Sequence, residues 1–72
     1  MLHVSYSIKD YPKAEYPCSI IYEDHVMHDG VSVTHKQVCV VYWNNGVHTE
    51  KEARGEAARI AYLLNQEVNK GM

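Results

Sequence analysis

Cysteine, glycine and charge of one sign are all scarce in this chain, and each scarcity removes a class of function. Two cysteines occur among 72 residues, Cys18 and Cys39, each inside an apolar strand-like run and neither in a CxxC or other ligand spacing. They read as two reduced core thiols, because free cysteine behaves as a small hydrophobe; a disulfide between neighbouring strands is the minority alternative in an intracellular chain. The four glycines are scattered and form neither of the common phosphate loops. No serine stands in a GxSxG nucleophile elbow. No apolar run approaches the roughly 18 to 20 residues that cross a bilayer, and Met1 to Asp10 lacks the basic start and apolar stretch of a signal peptide. A cytoplasmic protein is expected. Seven Lys and Arg against nine Asp and Glu leave a formal charge of -2, which provides no global field for a polyanion.

The length allows one domain and sits where a single core is only marginally sufficient. With no obvious staple, such a chain is a candidate for self-association, and a homodimer is carried as an expectation.

What is present reads as strands followed by one helix. Leu2, Val4, Tyr6 and Ile8 alternate with His3, Ser5, Ser7 and Lys9, the period of two of a half-buried strand. Pro12 and Pro17 then mark a loop over Lys9 to Pro17, in which Tyr11 and Tyr16 are expected to be exposed. Cys18 to Glu23 is a second strand. Asp29-Gly30 suits a tight hairpin turn before Val31, Val33 and His35 resume the alternation. Val38 to Trp43 is the most apolar run, suits a central strand, and is read as part of one long strand from Val31, with Lys36-Gln37 marking a bulge. Asn44-Asn45-Gly46 breaks the pattern with residues that tolerate positive φ.

Thr49-Glu50-Lys51-Glu52 is a capping box, so a helix begins at Glu50 and runs to about Asn69. Ala53, Ala57, Ile60, Ala61, Leu64 and Val68 recur at spacings of three and four and form its buried stripe, while Arg54, Glu56, Arg59, Tyr62 and Gln66 face outward or flank it. Gly55 reads as a tolerated surface glycine and Gly71 as the stop. The expected fold is α+β: a small antiparallel sheet of three to four strands packed against one C-terminal helix.

Histidine is the one enriched reactive residue, at positions 3, 25, 28, 35 and 48. His25 and His28 are three apart in a strand or turn, where i and i+3 point to opposite faces, and zinc needs about four converging ligands. Asp24 or Asp29 completes such a set only in a compact loop, so no metal and no cofactor are expected. A dyad of Cys18 or Cys39 with His35 is disfavoured, because thiols among valine and isoleucine have raised pKa values. No enzyme is expected.

Glu50 to Leu64, EKEARGEAARIAYLL, resembles the last helix of double-stranded RNA-binding domains, whose KKxAKxxAAxxAL-like pattern is matched by Lys51, Ala53, Arg54, Ala57, Ala58, Ala61 and Leu64. The strand-like LHVSYSI stands where that family has its first helix, and Glu50 replaces one of the paired lysines. The resemblance implies a nucleic-acid-binding module, with Lys51, Arg54, Arg59 and Lys70 as its basic face. The order of strands, an Asn-Gly turn and a closing helix ending Ala57 to Asn65 also resembles small bacteriophage and mobile-element accessory proteins. That layout implies a non-enzymatic protein that binds and occludes a host protein, with a defence or nucleic-acid-processing component as the kind of target the same resemblance suggests; the six tyrosines and one tryptophan offer large contact area at low entropic cost. The expected partner-binding residues are Tyr11 and Tyr16 in the proline loop, Asp24 and His28 near the hairpin, and Arg59 and Tyr62 on the helix.

Overall fold

The computed structural model describes residues 3–27 and 32–70, for residues 32, 33, 69 and 70 the backbone only. Three strands, β1 (His3–Tyr11), β2 (Cys18–Val26) and β3 (Ser32–Tyr42), precede one helix, α1 (Glu50–Lys70). The strands form an antiparallel meander in the order β1-β2-β3, and α1 lies across one face of it. This is the expected α+β fold, with three strands among the described residues.

Alternation decides which residues meet the helix. Tyr6, Ile8 and Asp10 pair with Glu23, Ile21 and Ser19, and Ile21 and Ser19 pair in turn with Cys39 and Val41. That set shares one face, because opposed residues point the same way. Ile21, Val41 and Trp43 from the sheet side and Ala53, Ala57 and Ala61 from α1 form the core, with Tyr6, Cys39, Ile60 and Leu64 packed around it. Ala53 and Ala57 are fully buried, so the alanine stripe does bring the helix close to the sheet. The expected capping box is present: Glu52 N–H donates to Thr49 Oγ1 at 3.3 Å and Thr49 N–H donates to Glu52 Oε1 at 3.0 Å. The Thr49 amide and, after it, the Thr49 side chain hold the Glu52 carboxyl below its ordinary value.

A polar ring locks the start of the helix to the sheet. Trp43 Nε1 donates to the buried Ser19 Oγ at 2.9 Å, Ser19 Oγ donates to Asp10 at 2.7 Å, and Arg54 donates to Asp10 at 3.1 Å. The Arg54 guanidinium closes the ring, standing 5.7 Å from the centre of the Trp43 ring, a cation–π distance. Ser19 and Trp43, the buried members of the ring, are both bonded, which is the condition for buried polar groups to specify a packing.

Several expectations need correction. β1 does not stop at Ile8 but continues to Tyr11, because the alternation carries Asp10 to Ser19 and Tyr11 to Cys18 and only Pro12 ends the ladder. Tyr11 is therefore half-buried in a strand, whereas Tyr16 is in the loop and 69% exposed. β3 is an edge strand and β2 the central one. The extra residue of the bulge is Val38, between the Ile21↔Cys39 and Tyr22↔Gln37 pairs, one position beyond Lys36-Gln37. Asp29-Gly30, Val31, Leu2 and Gly71 lie outside the described residues. Asn44 and Gly46 do adopt positive φ, 51° and 88°, and Asn45 Oδ1 accepts from the Val47 and His48 amides at 2.9 Å each, an Asx turn that aims the chain into the helix.

Candidate docking face

The helix covers only one side of the sheet. On the other side the same alternation places His3, Ser5, Ser7, Lys9 and Tyr11 from β1, Cys18, Ile20, Tyr22, Asp24 and Val26 from β2, and His35, Gln37, Val40 and Tyr42 from β3. No element of the described chain packs over this side. Ile20, Val40, Tyr11 and Tyr22 are half-buried only by their neighbours within the sheet, and Tyr42 is 47% exposed. An antiparallel sheet with one free face ordinarily alternates apolar and polar. Here the free face is apolar and aromatic at its centre.

A hydrogen-bonded chain fixes the side chains of this face. Ser7 Oγ donates to Asp24 Oδ2 at 2.8 Å, and Asp24 Oδ1 is bonded to His35 Nδ1. The His35 ring stacks on Tyr22 with centroids 4.2 Å apart and planes 18° from parallel, and the Tyr22 and Tyr11 hydroxyls are 2.9 Å apart. Lys9 Nζ lies 5.6 Å from the centre of the Tyr11 ring. The His35 bond, opposed by desolvation and aided by Ser7, holds the Asp24 carboxyl below its ordinary value. Sharing a hydrogen bond with Tyr11, together with desolvation, pushes the Tyr22 hydroxyl upward. The Tyr22, His35 and Tyr11 side chains are thus held in place by one another.

The sheet face under the helix carries its own charged row. Tyr6 OH donates to Glu23 at 2.8 Å and His25 Nε2 lies 2.8 Å from the other Glu23 oxygen. These contacts, the His25 bond foremost, lower the Glu23 carboxyl, and the Glu23 bond raises the Tyr6 hydroxyl. Among the described residues no three metal-ligating side chains converge. Cys18 and Cys39 are free; Cys18 is paired with Tyr11 and Tyr42 on the open face, while Cys39 packs against the core. Opposite faces of one sheet keep the two thiols apart.

A shallow depression of about 320 Å³ is lined by Asn44, Gly46, Val47, His48, Thr49 and Glu52. Its hydroxyl and carboxylate, Thr49 and Glu52, are engaged in the helix cap, which leaves His48 as the remaining titratable side chain there.

The five of the six expected partner-binding residues that are described lie in separate places. Tyr11 and Asp24 belong to the open sheet face, and Tyr16 stands in the neighbouring loop. Arg59 and Tyr62 are exposed on the side of α1 away from the core, with Arg59 bonded to Glu56 and Tyr62 OH accepting from Gln66 at 2.7 Å. His28 lies outside the described residues. Ile20, Tyr22, Val40 and Tyr42 were missed as surface residues because a strand hydrophobe reads as core. The signal for them was the near-continuous apolar run, which marks a strand apolar on both faces.

The cations proposed for a nucleic-acid face are partly committed within the fold. Arg54 is bonded to Asp10 and Glu50, and Arg59 to Glu56, which raises the guanidinium further. The side chain of Lys70 is outside the described ones. No helix among the described residues is long and apolar enough to cross a membrane. Comparison with family models, with curated proteins and with solved structures gives no match.

Proposed function

We propose that this chain is a non-enzymatic binding protein that acts by covering the surface of another protein, with the open sheet face as its docking surface. The observation that carries the reading is the row of Tyr11, Ile20, Tyr22, Val40 and Tyr42 on the side of the sheet that the helix leaves bare. Aromatic side chains dominate the energetics of protein interfaces, and charged ones are depleted at interface centres. In the accessory-protein setting implied by the layout, the covered surface belongs to a host protein. The nucleic-acid alternative draws less support, since Arg54 and Arg59 are engaged by carboxylates and phosphate contacts supply most of such affinity.

Site-specific photocrosslinking tests the reading. A photoreactive residue replacing Tyr42 is expected to give protein adducts that Val40→Asp suppresses, and one replacing Tyr62 is expected to give none. Adducts from position 62 alone would remove the open face as the docking surface. Salt-sensitive duplex binding lost on Lys51→Glu and indifferent to Val40→Asp would promote the nucleic-acid reading instead.

A further inference from the structure

We infer that a second copy of this chain covers the open sheet face in the free protein, the two sheets packing face to face. The inference rests on that face being a docking surface and names its occupant.

Area is the first ground. A compact chain of 8.3 kDa exposes about 4,600 Å² by the size scaling of monomeric proteins, whereas this one exposes 5250 Å². The chain thus leaves more surface uncovered than its mass ordinarily requires, by about 650 Å². The Cα atoms span 42 × 23 × 13 Å, a slab with a single layer of helix on a single sheet. Adding a second sheet about 10 Å beneath the first converts this slab into a closed four-layer stack with both apolar sheet faces covered.

Charge is the second ground. Apart from His35, which is bonded to Asp24, and His3 at the far end of β1 beside Val26, the open face carries Lys9 and Asp24, one of each sign. In the β1–β2 register the Lys9↔Ile20 and Ser5↔Asp24 pairs stand two residues to either side of Ser7↔Tyr22. A two-fold axis lying in the interface, across the strands at the Ser7–Tyr22 pair, exchanges those two flanking rows. Lys9 of one copy then lies over the Ser5–Asp24 row of the other, and symmetry makes the contact twice. The same operation brings the two Tyr22 side chains together at the axis. The face is complementary to itself, with opposite charges meeting and the aromatic centre shared.

The other routes to self-association are less well prepared. At the β1 edge Asn65 occupies the backbone groups of Tyr6, and the β3 edge is interrupted by two register shifts and carries exposed Lys36, devices that discourage strand addition.

Sedimentation equilibrium on the purified full chain, from low micromolar to near-millimolar concentration, tests the inference. The expected result is a monomer–dimer equilibrium in which Lys9→Glu and Asp24→Lys each weaken the dimer about tenfold or more, while the double variant returns it to within about threefold of the starting value. Tyr62→Ala is expected to leave it unchanged. A monomer throughout, or a dimer indifferent to Lys9→Glu and to Val40→Asp, would overturn the second copy as occupant. A monomer whose position-42 adducts to a different protein vanish on Val40→Asp overturns the dimer and leaves the docking face standing. A monomer with no such adducts removes both.

Discussion

The Asn65 side chain pairs with the backbone of Tyr6 in the manner of an additional strand residue: Tyr6 N–H donates to Asn65 Oδ1 at 2.8 Å, and Asn65 Nδ2 donates to Tyr6 C=O at 3.1 Å. One amide near the end of α1 thereby satisfies both outward groups of an edge-strand residue and ties together positions 59 apart in sequence. Only a carboxamide supplies a donor and an acceptor in that geometry.

Asn65→Ala removes both bonds and leaves partly buried backbone groups on Tyr6 without these partners. A loss of about 1 to 3 kcal/mol is expected. Asn65→Asp, which keeps the acceptor and loses the donor, is expected to be destabilising as well, because its carboxylate faces the Tyr6 carbonyl. Urea unfolding of the two variants checks this; stability unchanged in Asn65→Ala would show that water replaces the amide at no cost.

Ser19 is fully buried and joins Trp43 to Asp10. Ser19→Ala is expected to cost about 2 kcal/mol, since it strands a buried indole N–H and removes one bond from the carboxylate that holds Arg54. The near-ultraviolet circular dichroism of the single tryptophan should weaken at the same time. Loss of stability without a change in that signal would place the damage elsewhere than at Trp43.

The strands and the helix were legible because period two and period 3.6 leave different marks, and Thr49 with Glu52 announced the helix start. The role of Asn65 was not legible: a polar residue near a helix end reads as solvated, and its true partner is a backbone brought there by the tertiary fold. The placement of β3 failed for a related reason. Val40 and Tyr42 alternate with Cys39 and Val41, so both faces of the strand are apolar, which resembles a strand enclosed by its own chain. The pattern records that each face avoids water and carries no mark of what covers it. Tyr11 was misread because proline was given the whole preceding segment, when Pro12 ends the ladder only at its own position.

Ala57 is fully buried between α1 and the sheet. Ala57→Leu inserts three carbons where Ile21, Val41 and Trp43 already fill the space, and overpacking of about 1 to 3 kcal/mol is expected. Ala58→Leu, one residue on and exposed, serves as the control and should shift stability by about 0.5 kcal/mol or less. Thermal unfolding of the pair checks the assignment of the helix face, and equal effects would contradict it.

Asp24 supplies one separable part of the pH dependence. Its carboxyl is held below the ordinary value, first by the His35 hydrogen bond and then by Ser7, against a desolvation that works the other way. A folded-state value below the unfolded one means that the ionised form favours the fold. That contribution is fully present above the unfolded value, about 3.9, and is lost as pH falls through the lower folded value. Asp24→Asn keeps the shape and removes the titration, so the variant should melt below the parent protein near neutral pH, with the gap closing as the solution is taken into strong acid. Glu23, Glu52 and Glu56, whose carboxyls are also lowered, are present in both proteins and cancel in the difference. Thermal melts of the pair between neutral and strongly acid pH read the gap directly. A gap that stays constant into strong acid would mean that Asp24 contributes through shape alone, and it would also weaken the use of Asp24 as the fixed anion opposite Lys9 in the dimer.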